Sequence, residues 1–164
     1  MEKGSSREVL LAVIESNPGL HFRELQRRTG LAVGQLEYHL YQMEKDRTIV
    51  SRRDGRLLRY FSNISGNALE RNLSYHLRSK FSRDLLMELL RNKGNLTLSW
   101  KPADRKREAL ETMAEDSILS FTVSGNRTNV ELVDYDTIRN FLIRNREKFL
   151  DSLASSLINL FDQS

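Results

Sequence analysis

The sequence predicts a mainly helical α+β chain with small β-hairpins: two helix–hairpin units in tandem, followed by a long C-terminal helix. Three observations predict this class. Apolar residues recur at helical spacing over most of the chain, as Val9, Leu10, Val13 and Ile14 do near its start. Asp54-Gly55 and Gly125-Asn126 sit between alternating arms, where glycine accepts the positive φ of a tight hairpin. The run HLYQMEKDRTIVSRRDGR is echoed downstream by ALETMAEDSILSFTVSGN.

Taken in order, Ser5 or Ser6 caps the first helix and Glu8 falls near its first turn. Asn17-Pro18-Gly19 ends it, and Leu20-His21 leaves room for a very short strand. Residues 22–29 form a second helix with Phe22 and Leu25 inward and Arg23, Gln26 and Arg27 outward. Gly30 is its stop. After a short turn, a third helix runs from about 34 to 45, with Leu36, Leu40 and Met43 inward and His39 beside them. Residues 48–53 and 56–62 are the two hairpin arms. Two helices joined by a short turn near a glycine make a helix-turn-helix signature, and the hairpin after it is a wing.

The stretches Asn17-Pro18-Gly19, Tyr38-His39-Leu40 and Arg53-Asp54-Gly55-Arg56 occur in the order seen in winged helix-turn-helix domains. Over about residues 7–62 the chain resembles those of archaeal transcription regulators of the broad ArsR/MarR-like kind. The resemblance implies a sequence-specific regulator that binds double-stranded DNA. Helix 34–45 enters the major groove, and wing 51–61 lies on the flanking groove. Gln35, Glu37, Tyr38 and Tyr41 read bases or place the helix. Arg27 and Arg28 grip the backbone near the turn, and Arg52, Arg53, Arg56 and Arg59 hold the flanking groove. Arginines there neutralise phosphates and release counterions, or enter a narrowed minor groove. The chain departs from the family at Ala32, where a capping serine is usual; such a change typically costs about 1 kcal/mol. It also has Tyr41-Gln42 where arginines are common, and Glu37 on the exposed face. Glu37 either accepts from a cytosine amine or marks a helix that no longer reads DNA.

The second unit aligns with the first at two offsets. Leu40, Met43, Asp46 and Gly55 meet Leu110, Met113, Asp116 and Gly125 at an offset of 70, whereas Leu20 meets Leu96 at 76. The second unit is therefore six residues shorter where the second helix and turn of the motif belong. The alternative is chance similarity between two helix–hairpin units. Leu85, Leu86, Leu89 and Leu90 supply its first helix, 95–100 its short strand, 102–115 its remaining helix, and 118–123 with 128–133 its hairpin. That hairpin carries one arginine, Arg127, while Lys101, Arg105, Lys106 and Arg107 keep the helix start basic. Residues 65–80 read as a connecting helix with Leu69, Leu73, His76 and Leu77 inward, continuous with 83–92. Asp134 caps a long helix, 135–161, whose broad apolar face includes Ile138, Phe141, Leu142, Phe149 and Leu153. That face packs on its own chain or, as favoured here, on a second subunit of a homodimer. The expected domains are 1–64 for DNA binding, 65–133 for the linker and degenerate second unit, and 134–164 for dimerisation.

Charge is distributed unevenly. Lys and Arg number 26 against 22 Asp and Glu, a formal net charge of +4. Residues 1–62 hold eleven basic and eight acidic side chains, 63–109 ten and five, and 110–164 five and nine. An anionic partner meets the front of such a chain. With no cysteine, disulfides and thiolate metal sites are excluded. No apolar run approaches the roughly 20 residues of a membrane helix, and MEKGSSREVL lacks the apolar stretch of a signal peptide, so a cytoplasmic, membrane-free protein is expected. His21, His39 and His76 show no metal-ligand spacing, and Trp100 reads as core. No nucleophile–base pair or phosphate-cradling loop is evident, so neither an enzyme nor a cofactor is expected. The competing reading is a winged-helix adaptor that binds protein in the transcription machinery and touches DNA only weakly.

Overall fold

The computed structural model describes residues 4–99 and 103–145. The chain divides into two compact units, Met1–Arg71 and Asn72–Ser164.

In the first unit, Ser5 caps helix α1 (Ser6–Ser16) by accepting from the Glu8 backbone, and the Glu8 carboxylate accepts from the Ser5 backbone in return. Strand β1 (Leu20–His21) leads directly into α2 (Phe22–Thr29), which stops at Gly30 in the left-handed region. Then come α3 (Val33–Lys45), β2 (Ile49–Asp54) and β3 (Leu57–Ser62). The sheet order is β1-β3-β2, all antiparallel, with Leu20 opposite Tyr60 and Ile49 opposite Ser62. The core joins Leu10 and Ile14 of α1, Leu25 of α2, Leu36, Leu40 and Met43 of α3, and Ile49 of β2. Each such side chain contributes roughly 1.5–3 kcal/mol of burial.

Helix α4 (Ala68–His76) contains the boundary between the units. It is followed by α5 (Lys80–Arg91), β4 (Asn95–Leu98), α6 (Asp104–Glu115), β5 (Leu119–Ser124), β6 (Arg127–Leu132) and α7 (Tyr135–Arg144). The sheet order β4-β6-β5 reproduces that of the first unit. The register reproduces it as well. Ile49–Ser62 and Asp54–Leu57 correspond to Leu119–Leu132 and Ser124–Arg127, an offset of 70. Leu20 faces Tyr60 and Leu96 faces Val130, so the short strand carries the offset of 76 read from the sequence. Only residues 99–103 separate β4 from α6, too few for a counterpart of the eight-residue α2.

Both copies end their long helix in one way. Thr48 N–H bonds to Met43 C=O and Arg47 N–H to Glu44 C=O; Ile118 and Ser117 do the same to Met113 and Ala114. This double closure needs a left-handed residue, which is Arg47 in the first unit (φ 62°) and Ser117 in the second (φ 60°). Side chains with a Cβ are strained there.

The connecting helix is not continuous. It breaks at 77–79, where the Ser79 hydroxyl accepts from Ser82 N–H and starts α5 afresh. Leu73, His76 and Leu77 are buried and Leu69 is half-buried, on the side read from the sequence. Asp134 caps α7 by accepting from Thr137, which holds its carboxyl below the usual range. The helix is described as far as Arg144; the rest of the expected 135–161 helix, Trp100 and Lys101 lie outside the described residues. Among the described residues no helix is long and apolar enough to cross a membrane.

Two outcomes follow from these joints. Ser117→Gly relieves the left-handed strain and stabilises the second unit by about 0.5–1 kcal/mol, read as a higher urea midpoint at unchanged slope. Asp46 sits at the end of α3, bonded by Thr48 and by Arg7 of α1, and these bonds hold its carboxyl below 3.8. Their contribution is complete above that unfolded value and is lost as pH falls through the lower folded one. Asp46→Asn therefore flattens that part of the acid limb of a stability–pH curve.

Candidate nucleic-acid interface

The first unit places its helix-turn-helix on one surface. Gly30 turns the chain between α2 and α3, and Leu36, Leu40 and Met43 pull one side of α3 into the core. The opposite side is left to solvent: Val33, Gly34, Gln35, Glu37, Tyr38 and Tyr41 are all exposed. Tyr38 and Tyr41 are 60% and 62% exposed, high values for aromatic rings. His39 is half-buried beside the core stripe, with its ring edge-to-face against Tyr38 at 5.4 Å.

Ala32 cannot cap α3 with its side chain, and the chain compensates from the other direction. Gln35 Oε1 accepts from the Ala32 backbone N–H at 3.3 Å, which is half of a capping box. The oxygen of Gln35, a residue expected to face bases, is thus turned back to its own helix end.

On α2, Arg27 and Arg28 are exposed and stand outside the ion pairs found among the described residues. They share a shallow hollow with Glu24, whose carboxylate lies 2.7 Å from His21 Nε2. At the wing, Arg53 and Arg56 are exposed and Arg52 is half-buried. Arg59 has a different task from these three. It lies on the central strand β3 directly across from Arg52, where two like charges repel. Its Nε donates to Asp54 Oδ2 at 2.7 Å and a terminal nitrogen donates to the Gly19 carbonyl at 2.9 Å. Only 14% of its side chain is exposed, so its guanidinium ties the wing tip to the chain entering β1. The α3 face, the α2 arginines and the Arg53–Arg56 turn are all exposed in the first unit, whereas Arg59 is taken out of the outward set.

The second unit lacks this chemistry position by position. At the offset of 70, Arg52, Arg53, Arg56 and Arg59 become Thr122, Val123, Asn126 and Asn129. Glu37 and Tyr41 become Arg107 and Glu111, which close on each other at 3.0 Å along α6. Lys106 lies over the Phe81 ring at 5.7 Å. The pair that sequence reading missed here is His76–Asp116: His76 is buried, and its Nε2 lies 2.6 Å from the carboxylate that ends α6. Their spacing of forty residues gives no local pattern to find it by.

A three-helix core, a helix-turn-helix with its second helix exposed and a cationic wing define the first unit as a winged helix-turn-helix domain. Residues 4–73 match the model of the family HTH_HVO_0163_N, an N-terminal HTH domain. No curated protein matches the chain.

Arg59→Ala removes a half-buried cation from both of its partners and costs about 1–3 kcal/mol of first-unit stability. Arg56→Ala stays within about 0.5 kcal/mol of wild type. Thermal or urea unfolding of the two variants side by side checks the contrast.

Proposed function

We propose that the chain is a sequence-specific double-stranded DNA-binding transcription regulator, not an enzyme, and that it acts as a homodimer. The observation that carries this reading is an exposed α3 face in the same unit as exposed cations that pair with no described residue: Arg27 and Arg28 on α2, Arg56 at the wing. Such a surface gains affinity from phosphates and leaves the helix for base edges. Gln35, Glu37, Tyr38 and Tyr41 are assigned to that helix, and Arg52 and Arg53 to the flanking groove with Arg56. Arg59 holds the wing in shape. The second unit, with a single wing arginine, Arg127, where the first has four, serves as scaffold rather than as a second reading head. Dimerisation through the C-terminal segment would place two first units on half-sites about 34 Å apart.

The test is affinity for random and selected duplexes across a salt series, with wild type and with Arg27, Arg28 and Arg56 changed to Gln. Every cation that neutralises a phosphate steepens the log–log salt slope by about 0.9, so its removal makes the slope shallower by that amount. A shallower slope together with an enriched sequence supports the regulator. An unchanged slope with no enrichment overturns it in favour of a protein-binding adaptor.

A further inference from the structure

The exposed side of α3 is chemically one-sided. It carries no lysine or arginine before Lys45, at the far end of the helix. Guanine is read in the major groove mainly by bidentate Arg or Lys at its O6 and N7, and this helix offers neither where it would enter. Over its first turns it offers instead one carboxylate, with Glu44 two turns further on beside Lys45, and three apolar surfaces. Glu37 is exposed and makes no hydrogen bond or ion pair with any described residue. An ionised carboxylate only accepts, so it is repelled by guanine O6 and N7 and by thymine O4. The donors left to it are the cytosine and adenine amines. The adenine amine is flanked by acceptors on both sides, its own N7 and the paired thymine O4, which repel the second carboxylate oxygen; the cytosine amine has guanine O6 on one side and only its own C5–H on the other. Val33, Tyr38 and Tyr41 are 49%, 60% and 62% exposed, surfaces suited to thymine 5-methyl groups.

Gly34 adds a separate observation. It lies one turn before Tyr38 on the same side of the helix, and a Cβ built there meets nothing within 4 Å. Its φ is not in the left-handed region. The fold therefore does not require glycine at this position, and glycine weakens a helix. A partner's close approach to the backbone does require it.

We propose that α3 reads the pyrimidine side of the major groove: Glu37 accepts from a cytosine N4 amine, Tyr38 and Tyr41 pack on thymine methyls, and Gly34 lets the helix sit close to the base edges. This rests on the DNA-binding reading above. It is tested on the full chain by selection from random duplexes, with wild type, Glu37→Gln and Gly34→Ala.

Wild type enriches a C·G pair at one fixed column of each half-site, flanked by A·T pairs. In that column, 7-deazaguanine opposite the cytosine leaves affinity unchanged, and N4-methylcytosine lowers it about tenfold. Glu37→Gln moves the column toward adenine, the base that Gln pairs with. Gly34→Ala raises the melting temperature and weakens the selected site tenfold or more, two effects of opposite sign that a merely structural glycine does not give. Loss of affinity on 7-deazaguanine, an unmoved column in Glu37→Gln, or full affinity in Gly34→Ala overturns the proposal. Salt-dependent binding with no enriched column overturns it too but leaves DNA binding standing. Absence of salt-dependent binding overturns the function itself.

Discussion

The burial of Leu36, Leu40 and Met43 is the constraint on which the first unit depends. These three residues sit three and four apart, so they commit one side of α3 to the core and release the other. The ends of the helix are then set by what flanks that stripe. Gly30, with Gln35 bonding back to Ala32, fixes where the helix begins. The left-handed Arg47 fixes where it ends, and the Asn63 side chain donates to the Arg47 carbonyl to hold the turn. From that turn the hairpin starts in a fixed register, and Tyr60 on β3 packs under the helices. Tyr60 is buried enough that its phenol is pushed up, with the Glu44 charge adding to the effect, so it stays neutral in the core.

The second unit shows what survives when that constraint is partly withdrawn. Without a counterpart of α2, the position of Leu36 becomes Lys106, which is exposed, whereas Leu110 and Met113 remain fully buried. The helix end, the left-handed residue and the hairpin register all persist at the same offset. Packing of helix on hairpin is therefore separable from the helix-turn-helix that displays a reading surface. The second unit lacks the charge as well as the surface: each wing arginine of the first has an uncharged counterpart at the offset of 70.

Most of this architecture was legible in the sequence because it rests on local signals. Helical spacing, Ser5, Gly30, Asp54-Gly55 and the offsets of 70 and 76 each act over a few residues or repeat at fixed distance. The offset of 76 predicted a strand register, Leu96 in the place of Leu20, that composition alone could not give. What stayed hidden depends on distant partners. Arg59 reads as one of four wing arginines until its bond to Gly19, forty residues earlier, is seen. The break at 77–79 was hidden because Leu73, His76 and Leu77 keep helical spacing up to it. The cap by Ser79 competes with that periodicity and wins. His76 and Asp116 are likewise ordinary residues until α4 and the end of α6 meet.

The distribution of charge within the first unit separates two tasks that a single basic helix would combine. Phosphate attraction is long-ranged and blind to sequence, so arginines on the recognition helix raise affinity for every site together. Here the cations lie on α2 and at the wing, and the helix between them carries Glu37 and Glu44 on its exposed side. On the DNA-binding reading proposed above, those carboxylates would lower affinity for duplex in general, and the loss would be recovered only where a base donor meets Glu37, so the carboxylate would act as a penalty on wrong sites more than as an attraction to the right one. The same logic explains why Arg59 is held by Asp54. A wing that is to position the domain has to keep its shape under its own repulsion, and the Arg59–Asp54 ion pair at the tip serves this while Arg53 and Arg56 stay exposed.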